Sequence, residues 1–319
     1  MNFNGTSVGI ISFPALGDAT LYLRLAWLFH RAGARVTLFS STLFPAREAF
    51  PWGSILPDQG EALATRAARF DLLIACFETC FSMADYQANC AELKNVAFVT
   101  AKKIPKESGV LGREVIVRGH CFKRASIPFC TDSSLGMTMV DWVDNYASSV
   151  YGIATNPDER VQVSRVVASA TGNKVVIFPT TPQGKKNYWL TGFHLLGRLL
   201  QARGWQVEFV CMPHELDGIA KALPGVNVYA FPDVLMLMDY LSGARAVISN
   251  DSGGGHLASL IDIPTFTITR RSKKFVWRPG FNQANTVIHP LWRFKWLGRY
   301  VWRPFVPVWR IALLLGKPL

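Results

Sequence analysis

Residues 8–40 carry an apolar run, a turn, an amphipathic stretch and a second apolar run, an order that few folds accept. The first run is Val8-Gly-Ile-Ile-Ser-Phe13, and the turn is Pro14-Ala-Leu-Gly17-Asp18. Leu21, Leu25, Leu28 and Phe29 then recur at three- and four-residue intervals, which predicts a helix over 19–32 with one apolar face. Gly33 suits the end of that helix, and Arg35–Ser40 reads as the next strand. Strand, helix and strand in so short a span form a βαβ unit, whose strands must pair in parallel. Further buried strands are expected at Leu72–Cys76 and Val96–Thr100, and a helix at Met137–Tyr151. Residues 101–136, with Gly109, Gly112, Gly119 and Pro128, read as loops that could face a substrate.

The alternation restarts after a break near Asn156-Pro157. Strands are expected at Lys174–Phe178, Gln206–Cys211, Val226–Ala230, Ala244–Ser249 and Thr265–Thr269, with helices near 191–203, 214–223, 233–242 and 254–261. That is a second doubly wound α/β domain. A chain of 319 residues accommodates two domains of about 150 residues each. The expected layout is a Rossmann-like domain over 1–155, a second over 156–285, a cleft between them, and a tail at 286–319.

Charge separates that tail from the rest. The net charge is +12, yet eleven Lys and Arg residues lie from Arg270 onward and no Asp or Glu follows Asp262. The body is nearly neutral, so the total charge is a poor argument for nucleic acid. In the tail, rings alternate with cations through Pro290-Leu-Trp-Arg-Phe-Lys-Trp-Leu-Gly-Arg-Tyr-Val-Trp302. Such a composition suits the interface of an anionic membrane, here through residues 290–315. The competing reading is a segment that crosses back to the first domain and buries some of its rings. Aromatic stacking on single-stranded nucleic acid would need support from the body, which offers none.

The six cysteines, Cys76, Cys80, Cys90, Cys121, Cys130 and Cys211, show no paired spacing and read as buried free thiols. The first residues lack the basic and apolar regions of a signal peptide, and no run is long enough to span a bilayer. A cytoplasmic protein, peripheral to the inner membrane, is expected.

Three turns could carry chemistry. Asn250-Asp251-Ser252-Gly253-Gly254-Gly255-His256 lies between a strand and a helix, where small residues and unpaired N–H groups suit a phosphate. Asp251 or Ser252 could equally be a plain helix cap, and His256 a structural histidine. Pro179-Thr180-Thr181-Pro-Gln-Gly184-Lys185-Lys186 follows the first strand of the second domain, where an open α/β sheet binds anions; a solvated lysine pair is the alternative. Asp18, in the first βα turn, is either a carboxylate at the mouth of a site or a helix N-cap.

Taken together, the strand–Gly-Asp–helix start, the Thr-Thr/Lys loop and Asp251-Ser-Gly-x-x-His256-Leu-Ala resemble glycosyltransferase family 9, the bacterial heptosyltransferases of lipopolysaccharide assembly. The resemblance implies a GT-B fold, with acceptor binding in the first domain and nucleotide-sugar binding in the second. It implies that Asp18 is the catalytic base and that Thr180, Thr181 and Lys185 hold the donor's diphosphate, Lys185 also serving the chemistry. Lys186 competes with Lys185 for that place. Asp251, Ser252, Gly253, Gly254 and His256 match the donor loop, and Glu215 an acidic residue that contacts the nucleotide. The expected reaction is inverting transfer without a metal or other cofactor, since no Asp-x-Asp occurs in the chain. The donor would be a nucleotide-diphosphate sugar, with ADP-heptose suggested by the resemblance. The acceptor would be lipopolysaccharide core or another lipid-linked or oligosaccharide glycan. A different donor in capsule or O-antigen synthesis, or a silent sugar- or lipid-binding partner, would carry many of the same residues.

Overall fold

The computed structural model describes residues 3–80, 93–164, 172–271 and 275–318. The chain divides into two compact units, Met1–Arg165 and Val166–Leu319.

In the first unit the strands are β1 (Ser7–Ile11), β2 (Arg35–Phe39), β3 (Ser54–Leu56), β4 (Leu72–Cys76), β5 (Val96–Thr100) and β8 (Ile127–Pro128). They form one sheet in the order β3-β2-β1-β4-β5-β8, and every pair is parallel. A small antiparallel hairpin, β6 (Val115–Val117) and β7 (His120–Phe122), stands beside it. Helix α1 (Leu16–Arg31) connects β1 to β2, and every residue from Ala19 to Phe29 is buried. Short helices α2 (Leu63–Ala67) and α3 (Phe77–Cys80) flank β4. The long helix α4 (Met139–Tyr151) packs on α1. Thr138 and Asp141 close the start of α4 as a reciprocal capping box, and Gly152 ends it at φ 67°. Arg24 of α1 grips Asp144 of α4 with two bonds of 2.8 and 2.7 Å while only 2% exposed. Losing one partner of such a buried pair costs about 3–5 kcal/mol.

The first unit runs past the boundary expected from sequence. Ile153 and Val161 are buried in it, the Trp52 indole donates to Gln162 O at 2.8 Å, and Arg24 donates to Glu159 O at 2.9 Å. The end of the domain is therefore tied down by long-range contacts that local patterning does not record.

The second unit repeats the same order of strands. Its sheet is β11-β10-β9-β12-β13-β14, again wholly parallel. The strands are β9 (Lys174–Phe178), β10 (Gln206–Cys211), β11 (Asn227–Ala230), β12 (Ala246–Asn250), β13 (Thr265–Ile268) and β14 (Asn285–Ile288). Helices α5 (Leu190–Gln201), α6 (Leu216–Ala222), α7 (Val234–Ser242) and α8 (Gly253–Leu260) connect them. Residues 286–319, read from sequence as a tail, supply much of this unit. Three of them complete β14, and Trp302, Val306, Ile311 and Ala312 sit in its hydrophobic core. Helix α9 (Trp309–Leu315) packs on α5. Burying these apolar side chains removes them from water at roughly 25 cal/mol per Å², which a free tail would forgo. What projects is a second hairpin, β15 (Phe294–Trp296) and β16 (Arg299–Val301).

Among the cysteines, Cys76 and Cys211 are buried, Cys80 and Cys130 half-buried and Cys121 exposed, all as free thiols. Cys90 lies outside the described residues. Among the described residues, no helix is long and apolar enough to cross a membrane.

Candidate functional site

In each sheet the strand order reverses between the first and fourth strands, at β1/β4 and at β9/β12. Open α/β sheets bind ligands beyond the carboxyl ends of their strands at such a point. All three turns singled out from the sequence emerge there. The turn after β9 carries Thr180, Thr181, Lys185 and Lys186; the turn after β12 carries Asp251 and Ser252; the turn after β1 leads to Asp18.

In the second unit, Gly184–Lys186 is a single 3-10 turn. Lys185 is exposed on it, and Lys186 reaches Asp251 at 3.1 Å, joining the loop after β9 to the loop after β12. The Thr180 hydroxyl donates to Glu215 at 2.8 Å, and the Thr181 hydroxyl meets Asn187 Oδ1 at 2.7 Å. Glu215 also accepts from the Met212 amide at 3.1 Å, at the start of the connection after β10. A hydroxyl has one proton to give, so a diphosphate would draw these threonines away from partners they already hold.

The start of α8 has the opposite character. Ser252 is the N-cap residue in extended conformation, but its side chain makes no capping bond. Its Oγ is buried with no partner, as are Ser249 Oγ and His256 Nδ1. Buried polar atoms are almost always paired, so unpaired ones gathered at one turn call for an explanation, of which a bound ligand is one. His256 is 3% exposed, and burial holds its imidazolium form down, against the opposing charge of Asp251 and a bond to the Trp277 backbone. With Nδ1 unpaired, that bond belongs to Nε2, which donates to the carbonyl. The neutral ring therefore keeps Nδ1 as a free acceptor nitrogen, in the first turns of a helix whose N–H groups offer the positive end of its dipole.

The glycines of this turn have a second explanation. A Cβ on Gly254 would lie 2.8 Å from three atoms of the Phe178 ring, and one on Gly255 would lie 2.6 Å from Ser249 Oγ. Close packing of α8 against β9 and β12 thus requires both, independently of any ligand.

In the first unit Asp18 is not the cap of α1. Ala15 holds that position, and Asp18 lies in the first helical turn, half-buried. Tyr22, one turn further on, is fully buried with its phenol pushed well above its usual range, by burial first and then by Cys76, Glu78 and Asp18. Glu78, on α3 at the end of β4, accepts from Thr100 at 2.5 Å and lies 3.8 Å from the Lys102 ammonium. Sequence reasoning finds no second carboxylate here, because Glu78 joins the group only through the β1/β4 adjacency.

Three further residues escape sequence reasoning. Asn250, at the end of β12, donates to Pro179 O at 2.8 Å and accepts from the Tyr188 amide at 2.9 Å, pinning both ends of the loop that bears the lysines. Asn187 holds Thr181, and Arg303 holds the turn itself. A polar residue ending a buried strand is the one local signal, and it belongs to Asn250. Among the described residues, no group of three or more His, Cys, Asp or Glu side chains is placed to hold a metal ion.

Residues 143–298 match the family model described as glycosyltransferase family 9 (heptosyltransferase). No curated protein matches the sequence. The chain is similar to the E. coli heptosyltransferase WaaC with ADP, at TM-score 0.66 and 14% identity, covering 97% of this chain and 98% of that one. It is similar to the E. coli ADP-heptose LPS heptosyltransferase II, at TM-score 0.65 and 16% identity, covering 97% of each chain. It is also similar to a family 9 glycosyltransferase from Veillonella parvula, at TM-score 0.64 and 13% identity, covering 92% and 90%. These likenesses establish the fold, two parallel Rossmann-like sheets of the GT-B type.

Proposed function

We propose that the chain, whose residues 143–298 match the glycosyltransferase family 9 model, transfers a sugar from a nucleotide-diphosphate donor to a glycan acceptor of the bacterial cell surface. The observation that carries this reading is the pair of buried, unpartnered polar atoms at the start of α8, Ser252 Oγ and His256 Nδ1, beside the Lys186–Asp251 pair. Ser252 Oγ can donate to a phosphate oxygen and His256 Nδ1 can accept from a ligand hydroxyl, so the two together suit a sugar phosphate.

The diphosphate leaves with growing negative charge. Lys185, Lys186 and the N–H groups of α8 stabilise such charge, and the Thr180 and Thr181 hydroxyls join them on leaving Glu215 and Asn187. Asp18 takes the proton from the attacking acceptor hydroxyl as that oxygen bonds to the anomeric carbon. One displacement inverts the configuration there. The set of cations and hydroxyls supplies what a metal would otherwise supply, and transfer is metal-independent on this reading. The likeness to an E. coli heptosyltransferase with ADP and to an ADP-heptose heptosyltransferase favours an adenosine diphosphate donor, and a heptose as the sugar transferred.

The acceptor is a lipid-linked or oligosaccharide glycan, met at an anionic membrane surface. Support comes from the β15–β16 hairpin and the residues leading into it, where Trp292, Trp296 and Leu297 are 74%, 65% and 89% exposed. Leu297 and Gly298 form its tip with φ of 46° and 74°. A leucine held at positive φ and fully presented to solvent is strained and poorly hydrated, and an interface with lipid suits it.

Asp18→Ala tests the proposal. Donor binding retained with transfer abolished agrees with a base in the first unit; unchanged transfer removes Asp18 from the mechanism.

A further inference from the structure

We propose that Arg303 is a positioning residue for the turn Gly184–Lys186, holding the two lysines in place from a distant point in the chain. The inference deepens the assignment of this turn to the donor diphosphate and rests on it.

The turn has a structural problem that Arg303 solves. A single 3-10 turn at the surface leaves carbonyls at its end unpaired within itself, and its internal bonds are few: Lys186 N to Gln183 O at 2.8 Å and Asn187 N to Gly184 O at 3.1 Å. The Arg303 guanidinium donates through Nε to Asn187 O at 2.6 Å, and through Nη2 to Gly184 O and Lys185 O at 3.4 and 3.5 Å. One planar group thus gathers three carbonyls of four consecutive residues. A positive charge at this end of the turn also complements its dipole.

Arg303 is itself well anchored. The preceding residue, Trp302, is 1% exposed and packs in the core of the second unit, its ring 6.3 Å from Tyr188. Tyr188 in turn fills the space over Gly192, where a Cβ would come within 2.3 Å of the ring. Asn250 fixes the loop at Pro179 and Tyr188. Asn250 therefore holds the two ends and Arg303 the middle, where Lys185 and Lys186 lie. Without the guanidinium the ends stay put while the lysines lose their support. Lysine cannot replace it, since a compact ammonium on a flexible stem does not span three carbonyls.

The test uses Arg303→Ala and Arg303→Lys in the full chain. Amide hydrogen exchange without ligand is expected to quicken by about tenfold or more at Lys186 and Asn187, whose amides close the turn, in both variants, while the Tyr188 amide, held by Asn250, is expected to keep its rate. Unchanged exchange there overturns the brace, whatever the protein binds. The second readout is the Kd for whichever of ADP, UDP, GDP, CDP and dTDP the wild type binds. It is expected to rise about tenfold in Arg303→Lys while the melting temperature stays within about 2 °C of wild type. Faster exchange with an unchanged Kd overturns the positioning role. A wild type that binds none of the five defeats the donor-site assignment, while the exchange rates decide the brace on their own.

Discussion

Ser252→Ala separates a ligand-binding hydroxyl from a structural one. Serine at an N-cap normally bonds an amide of the first turn, and its loss costs about 1 kcal/mol. Ser252 makes no such bond, and its buried Oγ has no partner. An unsatisfied buried hydroxyl carries a desolvation penalty of about 1–3 kcal/mol, part of which alanine relieves. The unliganded variant is therefore expected to be more stable by about 1 kcal/mol, or roughly 2–4 °C in melting temperature for a unit of this size. Binding should move the other way. A hydrogen bond from this hydroxyl to a charged phosphate contributes about 1.5 kcal/mol or more, so affinity for a nucleoside diphosphate should fall by about tenfold. Thermal unfolding without ligand, followed by titration of both proteins with the nucleotide, measures the two effects separately. A variant that melts lower by several degrees would show that Ser252 caps the helix after all. A variant with unchanged affinity would remove the hydroxyl from the ligand site.

Three further outcomes follow from the same geometry. Gly254→Ala places a methyl 2.8 Å from the Phe178 ring; overpacking of about 1–3 kcal/mol exceeds the helix preference for alanine of about 0.5–1 kcal/mol, so the melting temperature should drop. A rise would mean that packing is not why glycine stands there. His256, whose folded pKa is held below its unfolded value of about 6.5, binds its proton more readily when unfolded. It is thus expected to cost stability progressively as pH falls below about 6.5, and His256→Gln should flatten the pH dependence of unfolding between pH 7 and 5; parallel curves would contradict the sign. Chelation should leave transfer intact on the metal-independent reading, whereas loss on chelation with recovery on adding a divalent ion would refute it.

The alternation of β-strands and helices is legible in the sequence because parallel strands are buried on both faces, so each reads as a continuous apolar run such as Leu72–Cys76. Ser54–Leu56 and Asn285–Ile288 escape that reading: one is three residues long, the other begins with two polar residues, and both sit outside the central strands. Candidate site residues in sequence turns are legible for a related reason, since an open α/β sheet places its binding loops after its strands. Their supports are not. Arg303 reads locally as one more cation in a basic segment, and its task depends on Trp302 being buried beside Tyr188. Gly254 and Gly255 read as room for a phosphate, whereas the side chains they make room for, Phe178 and Ser249, lie in other strands.

The proposed mechanism stands or falls on nucleoside-diphosphate binding by the second unit at the β9/β12 switch point. The decisive measurement is calorimetric titration of the wild type and of a Lys185→Ala/Lys186→Ala variant with ADP, UDP, GDP, CDP and dTDP. Saturable binding of at least one of them to the wild type is expected, weakened by about tenfold or more when both charged donors are removed. Binding of equal strength to both proteins, or no binding to the wild type, would contradict it.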